Sequence, residues 1–335
     1  MRLGGRPGDR MQMIDGKVTP ESPACLPPNS GAIVSPILKS DRKLPVVGSR
    51  CQIDLRFFNA PADLEGCFTT FYRMELTVPD GGVVVDYLQP EWANLRFFSN
   101  LTSESRIFGG PTLVGAEFPA TGPSSLPMRF ELGTTRMWGV GLFPLGWARF
   151  VGLPANDFAN RAVDGMVHPA FTAYSSLAHD LFRGAPDDEA EFALLIRTFR
   201  AQARPVRDEA AIRMVHAAIV DSEMASVVEL ACRAGMTARS LERLCARHFG
   251  FPPKLLLRRQ RLMRTVSAFM VDPGNTWSNV IDGRYHDQAH FVREFQQFFL
   301  MTPSEYAALG HPVLSAFMAE RKRLLGSPAQ TLDQP

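Results

Sequence analysis

The side chains best suited to chemistry sit on two short stretches near the C-terminal end. In ARSLERLCARHF, residues 238–249, Arg239, Glu242, Arg243 and Arg247 share one side of a helical wheel, opposite Leu241, Leu244, Cys245 and Phe249. In the second stretch Asp287, Gln288, Ala289, His290, Val292 and Arg293 open another amphipathic run that ends at Phe299. A guanidinium donates two parallel hydrogen bonds to guanine O6 and N7, and a glutamine amide pairs with adenine N6 and N7. Arg239, Arg243 and Gln288 are therefore candidates for reading base edges in double-stranded DNA. Glu242 can accept from a cytosine amino group or orient Arg239, while Arg247 and His290 suit phosphate. The alternative for Arg243 and Arg293 is a solvated helix face or an ion pair, such as Arg293 with Asp287.

Each stretch needs a partner helix and a tight turn to present it. Ser226 and Glu229 have capping-box spacing, which predicts a helix start. That helix runs through Leu230, Ala231 and Cys232 to Gly235, a residue that can end it in the left-handed conformation without a Cβ penalty. Thr237 then caps the helix carrying Arg239 and Arg243. The later copy comprises Trp277 to Ile281, a turn at Asp282 and Gly283, and a helix from about Asp287 to Phe299. Superposing Leu241 on Phe291 also aligns Arg243 with Arg293, Phe249 with Phe299 and Pro253 with Pro303, a constant offset of fifty residues. Between the copies, Pro253 to Met270 mixes Leu255, Leu256, Leu262, Val266 and Phe269 with Lys254, Arg258, Arg259, Arg261 and Arg264, which predicts one long connecting helix. Two such reading helices in successive major grooves must sit about 34 Å apart.

The phrases AGMTARSLERLCARHFGFPP at 234–253, RLMR at 261–264 and YHDQAHFVREFQQFFLMTPSEY at 285–306 resemble the AraC type of bacterial transcription regulator. The resemblance covers roughly residues 208–306 and implies a domain of two helix-turn-helix units. It assigns base reading to Arg239, Glu242 and Arg243 on the first recognition helix and to Asp287, Gln288, Ala289, Val292 and Arg293 on the second. The chain departs from the pattern at the second turn, where the family carries glycine and this chain has Arg284, with Gly283 one place early. Val280 stands where alanine is usual. A left-handed Arg284 would cost roughly 1 kcal/mol or more. Many members carry an N-terminal sensor or dimerisation domain, often a cupin-like barrel, so the resemblance implies that role for the first half of the chain.

That half reads differently. From Cys51 to about Asp180 short aromatic and β-branched runs are cut by turn signals, and Met128, Phe130 and Leu132 alternate with Arg129 and Glu131 as half-buried strands do. A mostly β barrel or sandwich is expected, giving an α+β chain, and the resemblance implies a cupin-like form for it. At Asp187 the period changes to helical, with Phe192, Leu195, Ile196 and Phe199 on one stripe. The expected organisation is a disordered leader over 1–48, a β-rich domain over 50–185, a linker helix over 186–206, the double helix-turn-helix domain over 207–306, and a tail over 307–335 that is helical at 313–325 and frays at its polar end. The aromatic set Phe57, Phe58, Phe71, Tyr72, Tyr87, Trp92, Phe97, Phe98, Trp138 and Trp147 either packs the β core or lines an effector pocket.

Composition bounds the remainder. The chain has 335 residues, 45% of them hydrophobic, and a formal charge of +2. Residues 226–306 carry eleven Lys/Arg against seven Asp/Glu, so positive charge is concentrated where a polyanion would be held. Five scattered cysteines without CxxC spacing disfavour a disulfide framework and a zinc site, and no His-x-His pattern suggests an iron or manganese cupin. Cys232 and Cys245 read as buried small hydrophobes. No signal peptide or membrane span is visible, so a cytoplasmic, nucleoid-associated location is expected. These features point to a sequence-specific, non-enzymatic transcription regulator without cofactor or metal. Its partners are DNA and, as further candidates, RNA polymerase, a small effector and a second copy of the chain. The other readings are a DNA-binding module fused to a catalytic or alkyl-accepting domain, with Cys25 the candidate acceptor, and a regulator controlled only by a protein partner.

Overall fold

Alternation of apolar residues sets the strands, and two of them are buried on both faces. The computed structural model describes residues 51–335 apart from 102, 103 and 273, together with the backbone of a strand at Lys43–Pro45. Apart from that strand, the expected leader and its Cys25 lie outside the described residues. Strands β1 (Lys43–Pro45), β2 (Gln52–Phe58), β3 (Phe68–Thr77), β4 (Val84–Leu88), β5 (Ala93–Phe98), β6 (Glu104–Ile107), β7 (Leu113–Val114), β8 (Pro119–Thr121), β9 (Met128–Leu132), β10 (Thr135–Leu142) and β11 (Ala162–Asp164) form two antiparallel sheets. The larger has the order β1-β2-β3-β10-β5-β8-β11 and the smaller β4-β9-β6-β7.

Ile53, Leu55, Tyr72, Met74 and Met137 of the large sheet meet Val84, Phe130 and Leu132 of the small one in a shared core, as in a sandwich. On β9 the expected alternation holds, with Met128, Phe130 and Leu132 buried. The opposite face of the large sheet is apolar too: Phe58, Phe71, Leu95, Phe97, Trp138, Val140 and Leu142 face a helical layer. The large sheet is thus the middle of a three-layer arrangement, which explains why β5 and β10 read as nearly continuous apolar runs.

Short helices α1 (Pro144–Gly146) and α2 (Ser175–Asp180) lead to α3 (Asp188–Gln202), whose N-terminus is capped by the Asp187 side chain. Its Leu195, Ile196 and Phe199 are buried as the stripe predicts, and Phe192 stacks on Phe58 at 4.9 Å. The helix therefore lies flat on the large sheet. Its Asp188 carboxylate accepts from Arg73 and also pairs with Arg56 and Arg136; burial would raise its pKa, but these guanidiniums hold it well below the carboxylate range.

The helical half follows as α4 (Glu209–Val220), α5 (Val227–Arg233), α6 (Ala238–Phe249), α7 (Pro253–Val271), α8 (Trp277–Val280), α9 (Gln288–Phe299), α10 (Pro303–Ala308) and α11 (Leu314–Leu325). The helix expected at 313–325 is present, but the segment after it does not fray. Val313 and Phe317 pack into the inter-sheet core, Gln330 bonds to Glu91 and Thr69, and Gln260 donates to the Thr331 carbonyl. The tail is stitched between the β sandwich and α7 because its apolar stripe has a sheet face to cover.

Candidate nucleic-acid interface

The first helix-turn-helix forms as its caps dictate. Ser226 Oγ accepts from Glu229 N at 3.1 Å, Gly235 adopts φ +62°, and Thr237 Oγ1 accepts from Ser240 N at 3.2 Å. On α6, Leu241, Leu244, Cys245 and Phe249 are buried, joined by His248. Arg239, Glu242, Arg243 and Arg247 are all exposed on the other side, and none of them makes an ion pair among the described residues. Cys245 is buried, which pushes its thiol pKa up to about 12. Cys232, expected to be a buried small hydrophobe outside any disulfide, is instead exposed and disulfide-bonded.

In the second helix of each unit the repeat is reproduced residue for residue, whereas α8 is three residues shorter than α5. Helices α6 and α9 begin at 238 and 288 and end at 249 and 299, and Asp287 caps α9 through His290 N at 2.6 Å just as Thr237 caps α6. That bond is the main reason why the Asp287 pKa is lowered. Gln288, Ala289 and Arg293 are exposed, His290 is half-buried, and Val292 packs against the Phe291 and Phe295 core. No ion pair forms between Arg293 and Asp287. The copies differ at their C-caps, where Gly250 has φ +81° and Leu300 φ +56°.

At the second turn neither Gly283 nor Arg284 is left-handed. The Asp282 carboxylate closes the turn by accepting from Arg284 N at 3.0 Å, so the backbone strain considered for Arg284 does not arise. Its guanidinium reaches across to the Ser222 carbonyl and Glu223, tying the second unit to the turn that precedes α5.

Two anchoring residues carried no legible signal in one dimension. Glu294, on the apolar side of α9, is 2% exposed and accepts from Arg258 Nε, Arg261 Nη2 and the Tyr285 hydroxyl, each at 2.8 Å. Burial would raise its pKa, but the hydrogen bonds from Arg258 and Arg261 outweigh it and lower it. Arg259, one of the basic residues of the connector, is fully buried: its Nη1 donates to the Ser124 carbonyl at 2.8 Å and its guanidinium lies 4.0 Å over the Trp92 ring. Desolvation lowers its pKa to about 9. Helix α7 is thus clamped to α9 on one side and to the β sandwich on the other.

Between the two units lies a cleft of about 650 Å³ lined by Lys254, Arg258, Arg261 and Arg264 of α7, by Arg284, and by His290, Arg293 and Glu294 of α9. A second cavity, of about 100 Å³, lies inside the β sandwich. Of the ten aromatic residues considered for an effector pocket, Tyr72 and Phe98 line it, and α11 adds Phe317, Met318 and Arg321 to its wall. Phe57, Phe58, Phe71, Trp92, Phe97, Trp138 and Trp147 are packed in the cores. Among the described residues no group of His, Cys, Asp or Glu is arranged to hold a metal ion, and no helix is long and apolar enough to cross a membrane.

Residues 230–309 match a family described as a helix-turn-helix domain. The C-terminal module is accordingly a helix-turn-helix domain of the AraC type, in the place marked by the fifty-residue repeat. No curated protein matches the sequence. Among solved structures, one of ToxT from Vibrio cholerae is similar at 9% identity and a TM-score of 0.38, over 77% of this chain and 98% of that one. A second ToxT structure aligns at 10% identity and a TM-score of 0.38, over 67% and 96%. The AraC-like transcriptional activator CuxR aligns at 12% identity and a TM-score of 0.22, over 63% and 85%.

Proposed function

We propose that the chain is a sequence-specific transcription regulator whose α6 and α9 enter successive major grooves of DNA, under the control of a small effector held in the β sandwich. The observation that carries the reading is the exposed guanidinium row Arg239, Arg243 and Arg247 on α6, repeated at Arg293, with Gln288 exposed beside it, on an α9 whose N-terminus is capped in the same way. Arg239, Arg243 and Gln288 read bases. Arg247 and His290 hold phosphate, and Glu242 orients Arg239. Asp287 acts chiefly as the cap, and Val292 serves packing more than readout. A protein that acts on DNA in this way is expected with the nucleoid in the cytoplasm.

The effector part rests on the cavity inside the β sandwich. Its wall includes Gln89 and Glu91, and the Glu91–Trp92 corner is where Arg259 of α7 docks. A molecule in the cavity therefore sits one residue layer from the helix that spaces the two reading heads. A small, mostly apolar molecule suits these walls.

The test is DNA binding by the intact chain. Arg243→Ala is expected to weaken the preferred site by about 1 to 3 kcal/mol and random DNA far less. An equal loss on both would make Arg243 a phosphate contact and remove it from base readout.

A further inference from the structure

We propose that the basic cleft between the two helix-turn-helix units seats the sugar–phosphate backbone of the duplex, so that the connecting helix α7 binds DNA itself; this rests on the DNA-binding reading above. Lys254, Arg258, Arg261 and Arg264 recur at spacings of four, three and three residues, one stripe along a helix face. At 1.5 Å per residue the stripe is about 15 Å long. Arg284 and Arg293 add to it from the second unit, making six cations around one lining carboxylate. Even with Asp282 and Glu223 set against them, three positive charges remain.

The single lining carboxylate cannot quench this charge, because Glu294 is buried and already engaged by Arg258, Arg261 and Tyr285. Arg261 Nε and Arg264 Nη1 are buried without any hydrogen-bond partner, donors whose desolvation a bound anion would offset. The position of the cleft selects the anion. His290 and Arg293, from the first half of the second recognition helix, are among its lining residues. A duplex with successive major grooves on α6 and α9 must carry the intervening minor groove, and the phosphates that flank it, over whatever lies between those helices. A free polyphosphate is the competing occupant.

The experiment measures DNA affinity of the full chain by fluorescence anisotropy across about 50 to 200 mM salt, on its preferred site and on random duplex. Lys254 is exposed and makes no ion pair among the described residues, so Lys254→Gln keeps the fold, which a melting curve verifies. It should weaken both duplexes alike, by about three- to tenfold, and lower the salt slope by about 0.9. Lys254→Gln/Arg264→Gln should lower it further. Unchanged slopes with retained binding would overturn the proposal while leaving the regulator reading standing. Thermal stabilisation by inorganic tripolyphosphate that Lys254→Gln abolishes, with no change in salt slope, would make the cleft a small-anion site and also overturn it. A wild-type chain that binds no duplex at any salt would overturn both readings.

Discussion

Replacing Asp86 with asparagine should detach the C-terminal helix from the β sandwich. Helix α11 has no side-chain cap of its own; its first residues are held instead by Asp86 on β4, whose Oδ2 accepts from Val313 N and Leu314 N at 2.8 Å each. The other oxygen lies 3.0 Å from His311 Nδ1 and also accepts from Tyr87 N at 2.6 Å. Asp86 is completely buried, so its loss leaves donors that water cannot reach. A helix cap contributes about 1 to 2 kcal/mol, and each buried donor left unpaired costs about 1 to 3 kcal/mol. Asparagine keeps one acceptor oxygen but turns an NH₂ toward the second set of donors, so about 3 kcal/mol is the expected loss.

For a chain of this size, with an unfolding entropy of about 2 cal/mol/K per residue, that lowers Tm by about 4 to 5 °C. Hydrogen exchange gives the sharper reading. Amides of α11 should lose protection well beyond those of α6, because the lesion opens the tail before the rest of the molecule. If α11 and α6 lost protection equally, Asp86 would be acting within its own strand pair, and the reasoning that the tail is capped from another element would be wrong.

Other substitutions probe other joints. Leu300→Gly should stabilise the chain by up to about 1 kcal/mol, since a left-handed φ of +56° burdens leucine but not glycine; a lower urea midpoint would show that Leu300 packs usefully. Glu294→Ala should cost about 2 to 4 kcal/mol by leaving Arg258 and Arg261 without their shared carboxylate, and a change within about 0.5 kcal/mol would mean that solvent already screens the pair. His216 is fully buried, and burial first, then the charge of Arg259, lowers its pKa to about 3. The folded state therefore stays neutral while the unfolded imidazole takes up a proton below about pH 6.5. Stability from this group is full above pH 6.5 and falls by about 1.4 kcal/mol per unit toward pH 3. His216→Phe should flatten that part of the stability–pH curve; an unaltered slope would assign it to other groups.

What the sequence shows and what it hides divide along chain separation. The fifty-residue repeat, both recognition-helix caps and the α3 stripe are local patterns, each decided by residues a few positions apart. The tail carried a pattern too, with Val313, Phe317 and Leu324 at helical spacing. Its partner face on β2 and β3 lies more than two hundred residues away, and a polar end with a distant partner looks like a frayed one. Arg259 and Arg258 are adjacent and alike in type, yet one is sealed against Trp92 and the other lines the cleft. Their fates depend on which side of α7 meets the sandwich, a tertiary fact. Arg284 shows the same limit: a misplaced glycine reads as strain, whereas the structure uses an ordinary turn and spends the side chain on the neighbouring unit.

The packing also restricts how an effector could act. The first helix-turn-helix shares one apolar cluster with the β sandwich, while the second has a cluster of its own around Phe291, Phe295 and Phe299. Trp92 and Phe143 meet His216 and Phe249 at ring separations of 4.7 to 5.9 Å, and Arg259 is inserted beside them. Swinging the whole module away would bare at least Trp92, Phe143 and Phe249. At about 1.5 to 3 kcal/mol per large apolar side chain, that is about 5 to 9 kcal/mol. A ligand present at a thousand times its Kd supplies about 4 kcal/mol. A hinge between the sandwich and the first unit is therefore out of a small effector's reach. What remains within reach is displacement of the Gln89–Trp92 corner and the C-terminal tail, both of which touch α7 and line the cavity, and through them the setting of the second unit against the first.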